Sequence, residues 1–462
     1  MGERELIGLA GLVALFGLLA IRVPVGLAMV GVGIGGSWVL SLALPYLRFE
    51  PYLKQFKTLL WNTVANYDLT VVPLFILMGF LASHANLSRD LFQGINALVG
   101  RYRGGVAMAA IGACAGFGAV CGSSLATAST MGGVALPELQ RMRYAPRLAT
   151  GTLAAGGTLG ILIPPSFVLV IYAIIVEGSI IEMFQAAIVP GLLAVLLFIA
   201  VIALQVRLKP ESAPVAEPMP PEERRRAILR LLPVLAIFGC IILGLGAGLF
   251  TPTPAAGVGV LLILLYGLAL RFRGKGLSNA GIRQSLLDTA VTAGMIYFIL
   301  FGAEVLKGFF TRAGLPTALA EWAGTSGLDP WLVLVLMLLV LILLGCFMES
   351  LALILVVVPF FWPVLVDLNG GDTVAAATAA YGMSSEELKI WFGILALIVV
   401  ELGLITPPVG LNVFIISTLA DNASMRQVFR GVMPFFAVEI LRVALLLALP
   451  VLALALPRLL SG

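Results

Sequence analysis

The sequence holds one histidine, His84, and four cysteines, Cys114, Cys121, Cys240 and Cys346, each in an apolar stretch. Those are too few ligands for a zinc site, a haem ligand pair or a disulfide framework, so catalytic-metal and redox chemistry are not expected. Charge is scarce as well. Lys, Arg, Asp and Glu make up 11% of the 462 residues while hydrophobic types make up 60%, against about 25% charged in soluble domains. So few charges cannot cover a water-facing surface of this size, and soluble folds are set aside. The net charge of +4 is spread over short loops and makes no single basic face, which argues against a nucleic-acid partner. Enzyme signatures are missing too. No GxSxG or HExxH pattern occurs, and Ser123 has no His or Lys near it in sequence to act as a base.

What is present is apolar length. A bilayer core takes about 20 apolar residues per helix, and such runs lie at 6–21, 24–44, 70–84, 148–177, 185–206, 227–249, 254–271, 286–307, 388–420 and 432–457. Two further apolar regions, 105–137 and 331–365, are interrupted near their middles by Gly122-Ser123-Ser124 and Met348-Glu349-Ser350. Irregular backbone at membrane depth is tolerated only where protein or water surrounds it, so both read as re-entrant hairpins. The expected fold is an all-α polytopic membrane protein of about ten transmembrane helices plus two re-entrant helical hairpins. The first run follows Glu3-Arg4-Glu5 and no small-residue cleavage site ends it, so it reads as a retained helix.

Basic residues mark the cytoplasmic side. They cluster at Arg101 and Arg103, at Arg141, Arg143 and Arg147, over 207–230, and at Arg271, Arg273, Lys275 and Arg283. Counting crossings between the clusters puts the mouth of the first hairpin on the cytoplasmic face. The second, followed by a loop with Asp367, Asp372, Glu386 and Glu387, opens on the other. The stretch from Arg207 to Arg230 contains Pro210, Pro214, Pro218, Pro220 and Pro221 and reads as a solvated linker. The stretch from Tyr46 to Asp68, with Tyr52, Lys54 and Trp61, is amphipathic; it either lies on the outer membrane surface or braces the scaffold.

The chain repeats itself. LGILIPP at Leu159–Pro165 aligns without a gap with LGLITPP at Leu402–Pro408, and FILMG at Phe75–Gly79 is echoed by FILFG at Phe298–Gly302. With hairpin mouths on opposite faces the duplication is expected to be inverted, an architecture of secondary transporters. A passive channel gives no reason for such paired breaks. Proline removes a backbone donor and clashes with the preceding turn, so Pro164-Pro165 and Pro407-Pro408 must break their helices. The Gly-x-x-x-x-Pro spacing then lets carbonyls converge at Gly160, Ile163 and Pro165 and at Gly403, Thr406 and Pro408, while glycine admits a hairpin tip. Such oxygen clusters suit sodium. The first tip contains Gly-x-Gly without a preceding strand, which excludes a dinucleotide fingerprint. Ser123, Ser124, Thr127, Ser129 and Thr130 follow it: the tip serines read as ligating, the later hydroxyls as ligating or as bonds between helices. The half-helix starting near Ser123 points its positive end inward, which suits an anionic, carboxylate substrate.

Intramembrane charges need partners or a purpose. Glu304 with Lys307, and Glu439 with Arg442, are spaced to pair. Glu349 and Glu401 lack an obvious partner, and one or both are expected to be protonated or to lie beside a cation, making them candidate coupling residues. His84 reads as a boundary residue.

The sequence resembles the large membrane (M) subunit of tripartite ATP-independent periplasmic (TRAP) transporters over nearly its whole length. The motifs are VPLFILMG (Val72–Gly79), CGSSLATASTMGGVALPEL (Cys121–Leu139), GTLGILIPPS (Gly157–Ser166), VEGSI and VPG (Val176–Ile180, Val189–Gly191), GLFTPTPAAGVGV (Gly248–Val260) and LGLITPPVGLNVF (Leu402–Phe414). The resemblance implies a subunit of the bacterial inner membrane that carries the transport path by an elevator movement. It also implies sodium as coupling ion, a small four-helix Q subunit, and a soluble periplasmic binding protein that delivers a small organic acid. A stand-alone carboxylate symporter or exchanger is the alternative; copurification with a four-helix subunit separates the two.

Carried over by motif, one sodium site falls at Cys121, Ser123, Gly160, Ile163 and Pro165, and the second at Glu349, Ser350, Gly403, Thr406 and Pro408. Ser123, Ser124, Thr158, Ser166 and Asn412 are expected to face substrate. Cys121 stands where the family often has serine, and Glu401 where many members have asparagine; a further negative charge there opposes a dicarboxylate unless it is neutralised. The expected segments are scaffold helices at 1–104, first-repeat transport elements at 105–184, central scaffold at 185–285 with the linker 207–230, second-repeat transport elements at 286–420, and a C-terminal scaffold helix at 421–462.

Overall fold

The computed structural model describes residues 2–21, 23–44, 46–214, 219–246, 248–271, 276–325, 327–420 and 423–460. All regular elements among them are helices. Pro218, Arg273 and Lys275 of the basic loops lie outside the described residues. By length and composition seven helices can cross a bilayer: Val25–Ala43, Ile180–Leu208, Pro221–Leu245, Pro252–Arg271, Asn279–Ala313, Ser350–Asn369 and Met425–Ala448. The number reaches nine if Phe49–Val64 with Asp68–His84, and Pro146–Leu162 with Phe167–Ile175, each make one bent span. Of the other expected crossings, run 6–21 is the unbroken helix Glu3–Ala20, with Glu3, Arg4 and Glu5 at its start, and run 388–420 is broken; Met425–Ala448 accounts for most of run 432–457. Run 388–420 forms Ser385–Gly403 and Leu411–Leu419 around its proline pair, and run 432–457 divides between Ala448 and Val451, where Pro450 has no N–H to continue the ladder.

The linker is shorter than its charge suggests. Helix Ile180–Leu208 reaches its near end, and a new helix begins at Pro221 with Glu222 and Glu223 in its first turn. Proline fits the first position of a helix and carboxylates favour the positive end, so the far half of 207–230 is helical. The backbone N–H of Ala145 donates to the Ser212 carbonyl at 2.9 Å, tying the linker back to the helix that starts at Pro146.

Packing gathers the chain into two compact units, one of residues 1–70, 290–339 and 351–389, the other of 71–289, 340–350 and 390–462. The boundaries differ from the five sequence segments, because packing follows contact and those segments follow chain order. In the first unit the amphipathic stretch is helix Phe49–Val64, and one of its faces braces neighbouring helices: the buried Tyr52 hydroxyl donates to the carbonyls of Val305 at 2.7 Å and Gly33 at 3.3 Å. Arg312 lies over the same ring. The other face, with Trp61 and Lys54, is open. Phe310 meets Phe360 edge-on at 4.6 Å, seating the helix Ser350–Asn369.

The second unit holds both hairpin tips and both proline breaks. The FILxG echo packs differently in the two units. A methyl at Gly79 would lie 3.0 Å from Cys121 Cα, at the first tip, whereas one at Gly302 would meet the Gly26 carbonyl at 2.9 Å. His84 is held at the end of its helix, with Nδ1 3.0 Å from the Phe80 carbonyl and 3.1 Å from Ser285 Oγ.

Candidate functional site

The first hairpin is formed by helices Gly105–Cys121 and Ser124–Arg141. Its turn is fixed by two residues. Gly122 takes φ 62°, a left-handed conformation costly for any residue with a Cβ, and a methyl there would also meet Phe167 at 3.0 Å. Ser123 then caps the returning helix by accepting the N–H of Ala126 at 3.4 Å. The second hairpin has the same plan, with helices Pro330–Gly345 and Ser350–Asn369.

Each tip is seated on a broken span through a pair of glycines. A methyl at Gly118 would lie 2.5 Å from Gly160 Cα, and one at Gly160 would lie 2.6 Å from Thr127 Oγ1 and 2.7 Å from the Ser123 carbonyl. In the second repeat a methyl at Gly403 would lie 2.5 Å from Gly345 Cα. The glycines of the repeated heptad thus occupy equivalent contacts. The span beside the first tip runs as Pro146–Gly157, Leu159–Leu162 and Phe167–Ile175, and its two sides bend by 48°. The Pro164-Pro165 and Pro407-Pro408 peptides are both cis.

Since Pro164 and Pro165 lack N–H groups, the carbonyls of Gly160 and Ile161 have no helical donor four residues on. At the second break the matching carbonyls are taken: Thr406 N–H donates to Gly403 at 3.0 Å and Asn412 N–H to Leu404 at 3.1 Å. A carbonyl has two lone pairs, so that of Gly403 keeps one for a ligand. The Thr406 hydroxyl is turned onto Leu402 O at 2.5 Å.

Glu401 finds partners the sequence does not reveal. Its Oε2 accepts the Ser124 hydroxyl at 2.5 Å and its Oε1 accepts the Ser350 hydroxyl at 2.7 Å. The residue is 2% exposed, so one carboxylate joins the two tips inside the protein. These two hydroxyls are partners that spacing along the chain does not reveal. Glu349, next to Ser350, is half-buried and takes no part in the bond. Of the other paired charges, Glu439 and Arg442 are joined and buried, and Arg442 also donates to the Pro190 carbonyl at 3.0 Å. Glu304 and Lys307 are exposed, and no ion pair joins them.

The residues expected to face substrate divide into three kinds. Ser124 is committed to Glu401, and Thr158 bonds back to the Ala155 carbonyl at 2.6 Å. Asn412 donates weakly to Ala154 O at 3.4 Å while its Oδ1 is buried without a partner. Ser166 Oγ is fully buried and also unpartnered, with its Cα 3.5 Å from where a Gly122 methyl would be.

Two features escape sequence reading, and the role of a third, Thr127, is left open by it. Thr127 Oγ1 is fully buried beside the Cys121 thiol, against Gly160, and makes no other hydrogen bond. The Cys346 thiol approaches the Pro407 carbonyl at 3.4 Å, linking the second tip directly to its proline pair. An open surface depression is lined by Pro407, Met425, Arg426, Phe429, Arg430 and Met433, so two arginines one helical turn apart stand at the second break. Their i, i+4 spacing is the one signal the sequence carries for them.

Residues 12–452 match the family described as the tripartite ATP-independent periplasmic transporter, DctM component. The chain belongs to that family. It is similar to the C4-dicarboxylate TRAP transporter large permease protein DctM of Pseudomonas aeruginosa, with 34% identity over 91% of this chain and 93% of the relative. It is also similar to the sialic acid TRAP transporter large permease protein SiaM of Vibrio cholerae, with 29% identity over 95% of this chain and 97% of that one. Among solved structures, the YdaH transporter of Alcanivorax borkumensis shares the fold with a TM-score of 0.60 at 16% identity, covering 86% of this chain and 88% of that one. This DctM-family chain is therefore the large membrane subunit of a TRAP transporter, a permease component and not an enzyme.

Proposed function

We propose that this chain carries the transport path of a sodium-coupled secondary transporter that imports a small organic acid across the bacterial inner membrane. In this reading a soluble periplasmic binding protein delivers the acid and a small four-helix membrane subunit completes the complex. Alternating access is of the elevator type, with the elements at 105–184 and 286–420 as the moving part and 1–104, 185–285 and 421–462 as scaffold.

The observation that carries the sodium assignment is the cluster of buried oxygens at the first tip. Thr127 Oγ1 is buried and lacks an oxygen partner, the Ser123 carbonyl lies against Gly160, and the Gly160 carbonyl has lost its helical donor. Hard cations take such neutral oxygens, whereas a buried polar group left alone is costly. These residues fit sodium, with Cys121, Ser123, Gly160, Ile163 and Pro165 as the first donor set and Glu349, Ser350, Gly403, Thr406 and Pro408 as the second. The ion supplies positive charge that offsets a substrate carboxylate. An acid as substrate is supported by Arg426 and Arg430 at the depression beside Pro407, and by relatives named for C4-dicarboxylates and sialic acid. Ser123, Ser166 and Asn412 are the side chains left to orient it.

The test is thermal unfolding of the purified chain in detergent over a sodium titration, with potassium holding ionic strength. A ligand bound only by the folded state raises the midpoint, by the equivalent of about 2.7 kcal/mol at a hundredfold excess over Kd. A saturable rise specific to sodium, lost in Gly160→Val and Gly403→Val, is expected. Equal responses to sodium and potassium would remove the sodium assignment.

A further inference from the structure

We infer that Glu401 couples the two candidate cation sites, so that an ion at one raises the affinity of the other. This rests on the two-site reading above and adds a route between the sites.

Ser124 is the first residue of the helix that Ser123 caps, and the Ser123 carbonyl sits against Gly160 of the first break. Ser350 opens the corresponding helix of the second hairpin. Glu401 holds both hydroxyls, one on each carboxylate oxygen. Its own backbone belongs to the second break, where its carbonyl accepts the N–H of Leu404 at 3.1 Å, around Gly403. A single residue thus reaches the first tip, the second tip and the second break.

Burial makes this bond demanding. Among the described residues no lysine or arginine forms an ion pair with Glu401, and the two serine hydroxyls are the hydrogen-bond partners of its buried carboxyl group. Withdrawal of either serine leaves a buried carboxylate half satisfied. An ion that fixes one tip therefore fixes the carboxylate, and the carboxylate holds the other tip in the geometry its own ion needs. The repeat offers no second route of this kind. The position matching Glu401 is Thr158, whose hydroxyl is spent on Ala155 of its own helix.

Coupling between sites is commonly about 5- to 150-fold in affinity, and the Hill coefficient cannot exceed the number of sites. The experiment is equilibrium binding of radioactive sodium to the purified full-length chain in detergent. Wild type should bind two ions with a Hill coefficient clearly above 1. In Glu401→Gln the amide still accepts from one serine and donates to the other, and the Hill coefficient should persist. In Glu401→Leu it should fall to 1 with two ions still bound at saturation, and Ser124→Ala should behave alike, which keeps the test open if the leucine variant does not fold. Three results would overturn the inference while leaving two sites in place: a Hill coefficient of 1 in wild type, an unchanged one in Glu401→Leu or Ser124→Ala despite lower thermal stability, or loss of one of two ions, which would make Glu401 a ligand. Absence of sodium binding in wild type would overturn the two-site reading itself, and the coupling with it.

Discussion

Gly118 and Gly160 meet backbone to backbone: a methyl group on Gly118 would lie 2.5 Å from Gly160 Cα. Gly345 and Gly403 also meet at the second tip, where a methyl on Gly403 would lie 2.5 Å from Gly345 Cα and one on Gly345 would lie 3.2 Å from Gly403 Cα. No side chain mediates either contact, so neither can relax by a change of rotamer.

Alanine at Gly118, Gly160 or Gly403 is expected to destabilise the chain by about 1–3 kcal/mol each, the usual cost of overpacking. Gly133, also in a helix, has open space where a methyl would go. Gly133→Ala should be neutral or slightly stabilising, since glycine in a helix costs roughly 0.5–1 kcal/mol relative to alanine. Thermal unfolding in detergent distinguishes the two groups.

Arg442 and Glu439 are both 2% exposed and bonded to each other. Arg442→Met should lower stability by about 3–5 kcal/mol, because it strands a buried carboxylate. Glu439→Gln combined with Arg442→Met should recover much of that loss. A double-mutant cycle on unfolding midpoints measures the difference, and additive losses would show that the pair does not act as a unit.

Arg426 and Arg430 are exposed beside Pro407. If they draw an anionic substrate, replacing either by Gln should raise the KM for the transported acid by up to about fivefold, the scale of an exposed charge contact of ~1 kcal/mol. Vmax should be little changed, and added salt should shrink the difference. Uptake into proteoliposomes containing the whole transporter provides the measurement.

Tyr381 lies in the loop after Asn369, outside the spans, and its hydroxyl donates to the Pro330 carbonyl at 3.0 Å. Burial first, and the nearby Asp329 second, raise its pKa above the ordinary tyrosine range. The folded state therefore favours the neutral phenol. The stability it contributes is complete below about pH 10, the unfolded value, and declines as pH rises towards the folded value. Tyr381→Phe should cost about 1 kcal/mol at neutral pH and flatten the alkaline decline in unfolding midpoint between pH 9 and 11.

The features legible in the sequence are the local ones. Proline pairs break helices wherever they stand, so the breaks at Pro164-Pro165 and Pro407-Pro408 and the turn at Gly122 follow from residue type. The repeated heptad marks Gly160 and Gly403 as equivalents, and the structure gives them equivalent contacts. The bond from Glu401 to Ser124 and Ser350 is another matter: it joins residues far apart in the chain, and no periodicity encodes which serine meets which carboxylate. Thr127 is ambiguous for a related reason, since a hydroxyl on a helix can bond locally or point at a ligand, and only its surroundings decide. The linker reads too long because its charge outweighs the helix-start signal of Pro221, Glu222 and Glu223.

The two halves differ at one telling position, with Thr158 in the first and Glu401 in the second. A chain assembled from two copies of the first half would have threonine at both places, and its tips would share no acceptor. One assembled from two copies of the second would bury two such carboxyl groups. The halves are therefore not interchangeable at this position, because only the second supplies an acceptor that both tips share.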